Sequence, residues 1–224
     1  MGYVPFLRYD VAQIDEIIGF LCPVHTPDGS PCGLLNHLSH TCKLVTTLLD
    51  VSHIPALLSA HGMTQVFASN LDGRRMVCVQ LDGRVIGWAS PQKSKQLANL
   101  LRSLKTTGDK RVQLNLEIGY VPTTKGGQYP GLYLFASQSR MMRPVTFLEN
   151  GKRDHLGTFE QVYMDIACTP QEVEKGVSTH VELDPTSMLS VIANLTPFSD
   201  FNQSPRNMYQ VCCLSFSVER DLTV

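Results

Sequence analysis

Two cysteines and two histidines lie within sixteen residues of this 224-residue chain, in the stretch CPVHTPDGSPCGLLNH. Cys22, His25, Cys32 and His37 are residue types that bind zinc, and Cys22 with His25 could instead form a nucleophile–base pair. Zinc requires its ligands to converge within about 2.0–2.3 Å of one point, and only the Cys22–His25 spacing is tight. The nucleophile alternative has no evident orienting acid in the sequence. We therefore expect buried structural cysteines beside a rigid turn, and no bound metal.

The prolines and glycines of the same stretch predict a structural loop that runs from Pro23 to Gly33. Pro27 restricts its own φ angle and Gly29 tolerates a positive one, so TPDG is typical of a turn. After the loop, residues 34–49 alternate loosely and are rich in Thr and Val, which predicts a strand.

The next segments are typical of a short helix and a hairpin. Residues 52–61 predict a helix that ends at Gly62. The tetrapeptide LDGR occurs at 71–74 and again at 81–84, and each copy is followed by strand-forming residues, at 76–81 and at 85–89. Asp-Gly turns between such runs predict a β-hairpin.

A longer helix is predicted over 91–107, where Ser90 can cap the first turn, Pro91 suits the first position and Gly108 can end the helix. Four leucines with helical spacing form its apolar face, namely Leu97, Leu100, Leu101 and Leu104. Four basic residues lie off that face, and we expect them on a solvated flank: Lys93, Lys95, Arg102 and Lys105.

Short strands are predicted within 111–149, and a second helix over 185–195. Asp184 can cap the N-terminus of that helix, Pro185 suits its first position, and Pro197 prevents the helix from continuing. Its buried stripe would consist of Met188, Val191, Ile192 and Leu195. Together these elements predict an α+β fold of short antiparallel sheets or hairpins with a few helices.

Composition indicates an ordinary globular protein, with 43% hydrophobic and 17% charged residues. The net charge of −1 gives no bulk attraction to nucleic acid or membrane, but residues 72–111 hold nine Lys/Arg against three Asp. Residues 154–184 hold seven acids against one lysine. Such polarity suits docking to partners of both signs, or two solvated faces. The seven cysteines are an odd number and no signal peptide is evident, which favours a reducing compartment. No apolar run is long enough to predict a membrane span.

Two motifs resemble the second-largest subunit of multisubunit RNA polymerases. CPVHTPDG followed by Gly33-Leu34 resembles the fork-region motif, and His25 with Asp28, at the two acidic positions of that motif, resembles the RNA polymerase I form. Residues 179–210, with Pro197-Phe198 before NQSPRN, are similar to the start of the hybrid-binding domain. The stretch between them resembles the domain called external 2.

The resemblance implies a division of the chain into segments. The implied fork segment is 19–45, the external-2-like domain is 46–176, and the start of the hybrid-binding domain is 177–210. Residues 1–18 and 211–224 have no match: Ile18-Gly19 stands where the family has Trp-Gly, and VCCLSFSVERDLTV replaces a Gly-Lys-Gln type motif. We expect an alternative transcript or partial gene model whose product is inactive alone.

The resemblance also implies a function, part of DNA-directed RNA polymerase I in the nucleus and nucleolus, transcribing ribosomal RNA genes. The implied partners are the largest and other polymerase subunits, the DNA template, the RNA–DNA hybrid and nucleoside triphosphates, but no membrane. Magnesium would be held mainly by the largest subunit, with no cofactor bound by this segment.

Among the site residues, Arg206 resembles the arginine that approaches the incoming nucleotide, and Asn202, Gln203 and Asn207 are candidates for polar contacts with substrate or template. The alternative for Arg206 is a loop arginine that pairs with Asp200. For the whole chain, the alternatives are a non-catalytic interaction module and a stand-alone zinc-binding domain.

Overall fold

The computed structural model describes residues 18–66, 76–124, 129–174 and 176–221. The predicted N-terminal segment up to residue 17 and the first LDGR turn lie outside these residues. The chain divides into two compact units. The central unit is Lys43–Glu182, and the terminal unit combines the chain up to Cys42 with the chain from Leu183 onward. Identification of named polymerase domains within these units stays a prediction.

The central unit contains most of the regular structure. Its elements, in chain order, are β1 (Lys43–Leu44), α1 (Ile54–Ala60), β2 (Thr64–Gln65), β3 (Val77–Leu81), β4 (Arg84–Ala89), α2 (Pro91–Thr107), β5 (Glu117–Val121), β6 (Gly131–Phe135), β7 (Met141–Phe147), β8 (Arg153–Gly157), α3 (Thr158–Gln161), β9 (Ile166–Ala167) and β10 (His180–Val181). The terminal unit contributes α4 (Val191–Asn194) and α5 (Ser204–Asp221). None of the helices among the described residues combines the length and apolarity needed to cross a bilayer.

The predicted hairpin is confirmed as β3 and β4, which pair antiparallel. Asp82 and Gly83 join them, and both have positive φ angles, 48° and 79°. A two-residue turn of this kind matches the right-handed twist of the strands it joins. The sheet built on this hairpin has the order β2–β4–β3–β6–β5, and β3 lies parallel to β6.

Helix α2 is also confirmed, with the predicted boundaries. The Ser90 hydroxyl accepts the Lys93 N–H at the N-terminus, and Gly108 adopts the left-handed conformation that ends the helix. Leu97 and Leu101 are buried in the core cluster that also includes residues of β3, β5 and β6. Burying each such side chain is worth about 1.5–3 kcal/mol, so the leucine face holds α2 on the sheet.

A second sheet completes the central unit. Its order is β1–β7–β10–β9, with β8 paired to the strand β7 as well. Pairing is antiparallel except between β9 and β10. The mixed short sheets and helices confirm the predicted α+β fold, while the two parallel pairs, β3–β6 and β9–β10, are additions to the expected antiparallel pattern.

Arg102 and Lys105 are not solvated, contrary to the expectation for the basic residues of α2. Lys105 is fully buried, and its ammonium lies 2.8 Å from Asp154 Oδ1 on β8. Arg102 Nη2 lies 2.7 Å from Glu160 Oε2 on α3. Both cationic groups pair with carboxylates from later segments of the chain, and the sequence of α2 does not specify where those carboxylates lie. Lys93 and Lys95 are exposed as predicted.

The buried carboxylates of Asp154 and Glu160 have pKa values that are shifted in opposite directions. Burial acts to raise the pKa of Asp154, but Lys105, the hydrogen bond from His180 and Arg102 outweigh it, so the pKa lies below its usual value. Burial raises the pKa of Glu160, and Lys105 and Arg102 offset this only in part. Burial lowers the pKa of His180, although its Nε2 lies 3.3 Å from Asp154 Oδ2. The His180 imidazole is therefore neutral at pH 7.

The strand predicted over 34–49 is wrong for most of its length. Among these described residues, regular pairing is limited to β1 and to an isolated bridge from Leu38 to Leu21. The Ser39 N–H donates to the Phe20 carbonyl and the His40 N–H to the Leu189 carbonyl. The backbone N–H groups of this segment thus donate to carbonyls of neighbouring loops. Loose alternation of apolar residues, without an adjacent partner strand, does not specify a sheet.

The helix predicted over 185–195 is broken into a 3₁₀ turn, Pro185–Met188, and the short helix α4. Leu189 is extended between them, and the Ser190 hydroxyl accepts the Ala193 N–H and so caps a new helix. Serine competes for backbone hydrogen bonds in this way and is favoured at caps. Consequently Val191 and Leu195 of the expected buried stripe are exposed.

Helix α5 was missed. No helix is predicted from the sequence beyond residue 195, yet α5 begins at Ser204 and runs through the first part of the unmatched segment 211–224 to Asp221. The Gln203 carbonyl accepts the Asn207 N–H, and Pro205 is tolerated in a first turn, where N–H groups lack helical partners. Val211 is fully buried with Cys22, Val24 and Ala193, so α5 supplies part of the core of the terminal unit.

Candidate functional site

The loop around the Cys/His stretch is closed by backbone pairing. The Cys22 N–H donates to the His37 carbonyl at 2.8 Å, next to the Leu21–Leu38 bridge. Inside the loop the Thr26 hydroxyl donates to the Leu35 carbonyl and accepts the Gly33 N–H. A single threonine side chain therefore ties the two arms of the loop together.

Gly29 and Gly33 both have positive φ angles, as their place in a structural loop predicts. The hydrogen-bonded turns, however, run from Gly29 to Cys32 and from Pro31 to Leu34, later than the expected TPDG turn. The Asp28 carboxylate accepts the Gly29 N–H at 2.8 Å, which competes with a turn centred on Pro27-Asp28.

His25 is held by contacts on three sides. Its Nδ1 lies 2.8 Å from the Ser190 hydroxyl and its Nε2 lies 3.2 Å from the Ser215 hydroxyl. Its ring stacks on His37 with 3.5 Å between ring centroids and 4° between planes. Burial, followed by the proximity of His37, lowers the pKa of His25. The buried ring is therefore neutral at pH 7 and orders α4 and α5 around the loop.

This arrangement bears on the zinc alternative. Both ring nitrogens of His25 face hydroxyl groups, and Cys22 is packed among apolar side chains. Across the described ranges, no group of three or more His, Cys, Asp or Glu side chains is placed to hold a metal ion. That the protein binds no zinc stays a prediction, which elemental analysis of the purified chain would test.

The segment before α5 exposes two aromatic rings. Phe198 has a φ angle of 53°, a left-handed conformation that is unusual for a bulky residue and costs of order 1 kcal/mol. Its ring meets that of Phe201 edge-on, with 6.4 Å between centroids, and both are largely exposed. The Asn202 side chain donates to the Phe198 carbonyl at 3.0 Å, which holds this strained turn closed.

The four predicted contact residues occupy different environments at the start of α5. Arg206 and Gln203 are exposed, and Asn202 is half-buried. Asn207 is buried: its side-chain amide donates to the Ser199 carbonyl at 2.8 Å, while its Oδ1 has no hydrogen-bond partner among the described residues. Asn207 thereby anchors the Phe198–Phe201 turn to the first turn of the helix that carries Arg206.

This geometry presents Arg206 on a defined scaffold. No ion pair joins it to Asp200 within the described part of the chain, so the pairing considered from the sequence is not formed. A guanidinium offers a planar fork of donors suited to phosphate or carboxylate, and the adjacent helix N-terminus also favours anions. The site can therefore bind an anionic oxygen cluster.

Two family models match segments of the chain. The first, described as RNA polymerase Rpb2, domain 3, covers residues 13–44, which include the Cys/His loop. The second, described as RNA polymerase I, Rpa2 specific domain, covers residues 86–143, from β4 to β7. Both matched segments therefore belong to one class of protein, the second-largest subunit of a multisubunit RNA polymerase.

Individual relatives show which type of RNA polymerase the chain resembles. The chain is 59% identical over 198 residues to the DNA-directed RNA polymerase I subunit RPA2 of Eremothecium gossypii, covering 88% of this chain and 17% of the relative. It is 56% identical to subunit RPA135 of Saccharomyces cerevisiae, with 88% and 16% covered, and 48% identical to the mouse subunit RPA2, with 88% and 18% covered. The chain therefore belongs to the family of RNA polymerase I second-largest subunits, of whose length it spans about one sixth.

Proposed function

We propose that these residues act as part of the second-largest subunit of RNA polymerase I, in the active-centre cleft that transcribes ribosomal RNA genes. The observation that carries the proposal is the identity of 56–59% to two fungal subunits over 88% of the chain. The activity would be that of a DNA-directed nucleotidyltransferase in the assembled enzyme, in the nucleus and within it the nucleolus. This segment alone would not support it.

In that setting the contribution of this chain is positioning and charge. Arg206 would contact phosphate of the incoming nucleotide, held at fixed reach by the first turn of α5. Asn202 and Asn207 would act indirectly, since their amides close and anchor the adjoining turn. Gln203, which is exposed beside them, remains a candidate for a polar contact with substrate or template. Magnesium, held mainly by the largest subunit, would neutralise charge on the triphosphate.

The partners that follow are the largest and other polymerase subunits, the DNA template, the RNA–DNA hybrid and nucleoside triphosphates. Exposed apolar side chains of the terminal unit support contacts with further protein, notably Leu34, Leu195 and Phe201. Apolar surface of this kind is typical of an interface.

A chimera tests the proposal. In the Saccharomyces cerevisiae relative, the matching stretch is replaced by the residues of this chain, and the purified enzyme is assayed for RNA synthesis on a nucleic-acid scaffold. We expect assembly and template-dependent extension. A chimera that assembles with the other subunits but does not extend RNA would indicate an interaction module, and one that fails to assemble would contradict both functions.

A further inference from the structure

The central unit has a surface depression at the C-terminal end of α2, lined by none of the four contact residues proposed for the terminal unit. Its volume is about 420 Å³. One wall is the chain from Lys105 to Leu114, which leaves the helix through Gly108, and the other is Lys152 and Arg153 at the start of β8. We call this feature the basic depression.

Its charge is strongly one-sided. Four cationic residues line it, namely Lys105, Lys110, Lys152 and Arg153, and among the lining residues Asp109 is the one acid. The Asp109 carboxylate is engaged by Arg111, with 2.7 Å between Oδ2 and Nη2. That hydrogen bonding lowers the pKa of Asp109 to about 2, so the pair remains ionised and balanced.

Three positive charges therefore remain without a compensating partner. Lys105 is matched by Asp154, but Lys110, Lys152 and Arg153 are exposed, and no salt bridge within the described part of the chain involves them. They come from two separate segments of the chain, 105–114 and 152–153. An occupant must present negative charge at several points.

The remaining lining residues indicate what kind of polyanion fits. Val112 is buried in the core, which leaves Leu114 as the one exposed large apolar side chain of the lining. A protein partner would find no apolar centre of the kind that carries binding energy at interfaces. The lining also has no aromatic ring, and sites for single-stranded nucleic acid combine cations with aromatic stacking platforms. A paired duplex presents its backbone and needs neither feature.

We infer that the basic depression binds the phosphate backbone of duplex DNA, without sequence preference, at a place distinct from the Arg206 site. The inference rests on the proposed function for the presence of DNA, but the binding is a property of this chain. Lys110 contacts phosphates from one wall, while Lys152 and Arg153 contact them from the other.

The test is equilibrium binding of the purified 224-residue chain to a fluorescent duplex, followed by anisotropy. With three phosphate contacts, this site should contribute about −2.7 to the slope of log affinity against log salt concentration. That slope corresponds to a roughly fortyfold loss of affinity between about 50 and about 200 mM salt. The triple variant Lys110→Glu, Lys152→Glu, Arg153→Glu should bind at least about tenfold more weakly at the lower salt and lose that part of the slope.

A matched control separates the site from overall charge. The variant Arg84→Glu, Lys93→Glu, Lys95→Glu has the same change in net charge at exposed positions elsewhere on the central unit. It should keep the wild-type salt slope. A triple glutamine variant of the basic depression, with folding checked by circular dichroism, provides the same comparison if charge reversal unfolds the chain.

Several results would overturn the inference. Wild-type chain that does not bind the duplex, or equal losses in the site and control variants, would remove the site. Tighter binding of single-stranded RNA would reassign it, as would displacement of the duplex by polyglutamate or by inorganic phosphate at equal charge. Because RNA synthesis is not measured, failure here is distinct from failure of the chimera.

Discussion

Replacing Lys105 by methionine should strongly destabilise the central unit. The ammonium group lies 2.8 Å from Asp154 Oδ1 and 3.9 Å from Glu160 Oε1, and it also donates to the His155 carbonyl. Both carboxylates are essentially inaccessible to solvent. Methionine matches the lysine side chain as far as Cε but lacks the ammonium group, which leaves a buried negative charge without its closest partner.

The expected loss follows from this burial. Removing one partner of a buried ion pair costs about 3–5 kcal/mol, because the other charge stays desolvated. For a domain of this size, that loss lowers the melting temperature by about 6–20 °C. Adding Asp154→Asn to the variant should recover part of the loss, with a coupling energy of about 0.5–3 kcal/mol between the two positions.

Acidification adds a signature that a simple packing defect would not show. The wild-type pKa of Asp154 is below its usual value, so its contribution to stability is present above the unfolded-state pKa of about 4 and is lost as the pH falls below it. Without Lys105 the folded-state pKa of Asp154 rises. The stability difference between wild type and variant should therefore be largest near neutral pH and shrink in acid.

Urea unfolding followed by tryptophan fluorescence measures these effects, because Trp88 is the single tryptophan and lies in β4 of the central unit. Lys95→Met is the matched control, an exposed lysine on the same helix whose loss should change stability by less than about 0.5 kcal/mol. If Lys105→Met unfolded at the same urea concentration as this control, the buried cluster would contribute nothing and our reasoning would be refuted.

Four further predictions concern the loop, the terminal unit and the central unit. In a full-length subunit carrying NQSPRN, Arg206→Ala should slow single-nucleotide extension about ten- to a hundredfold, because a charge-assisted contact with phosphate is lost. Arg206→Lys should recover part of the rate. If the alanine variant assembled normally and extended RNA at the wild-type rate, the contact would be excluded. Elemental analysis of the purified chain should find no stoichiometric zinc, whereas one zinc per chain that disappears on Cys22→Ser would reverse this. The chain alone should not extend a primer on a template, and extension by material free of other subunits would contradict the proposed dependence on assembly. Gly157→Ala should destabilise the central unit by about 1–3 kcal/mol in urea unfolding, because the added methyl would lie 2.0 Å from the Glu117 carboxyl carbon, and unchanged stability would show that Glu117 can move.

Elements coded by adjacent residues could be predicted from the sequence. The caps at Ser90 and Gly108 define α2, and the Asp82-Gly83 pair defines the β3–β4 hairpin, because each depends on the backbone preferences of a few neighbouring residues. The predicted continuous helix over 185–195 failed on the same scale, because the Ser190 hydroxyl accepts a backbone N–H and divides the expected helix into a 3₁₀ turn and the short helix α4.

Candidate site residues were also found from the sequence, but their environments were not. The NQSPRN motif drew attention to Arg206, whereas its position in the first turn of α5 depends on Val211 packing against Cys22 and Val24. A sequence signal for this helix did exist, in Pro205 near a helix start and in apolar residues at 208, 211 and 212.

The sequence by itself determined the family, the α+β class, the hairpin and the boundaries of α2, since short motifs and local backbone chemistry suffice for these. Tertiary structure alone decided that Lys105 is buried and Arg102 partly buried beside carboxylates, that β3 lies beside β6, and that Lys110 and Lys152 line one depression. The physical reason is that burying a charge costs several kcal/mol, which is offset only when a partner of opposite charge lies within a few ångströms. For Lys105 that partner is Asp154, which follows it in the chain only after the three strands β5, β6 and β7 and their loops.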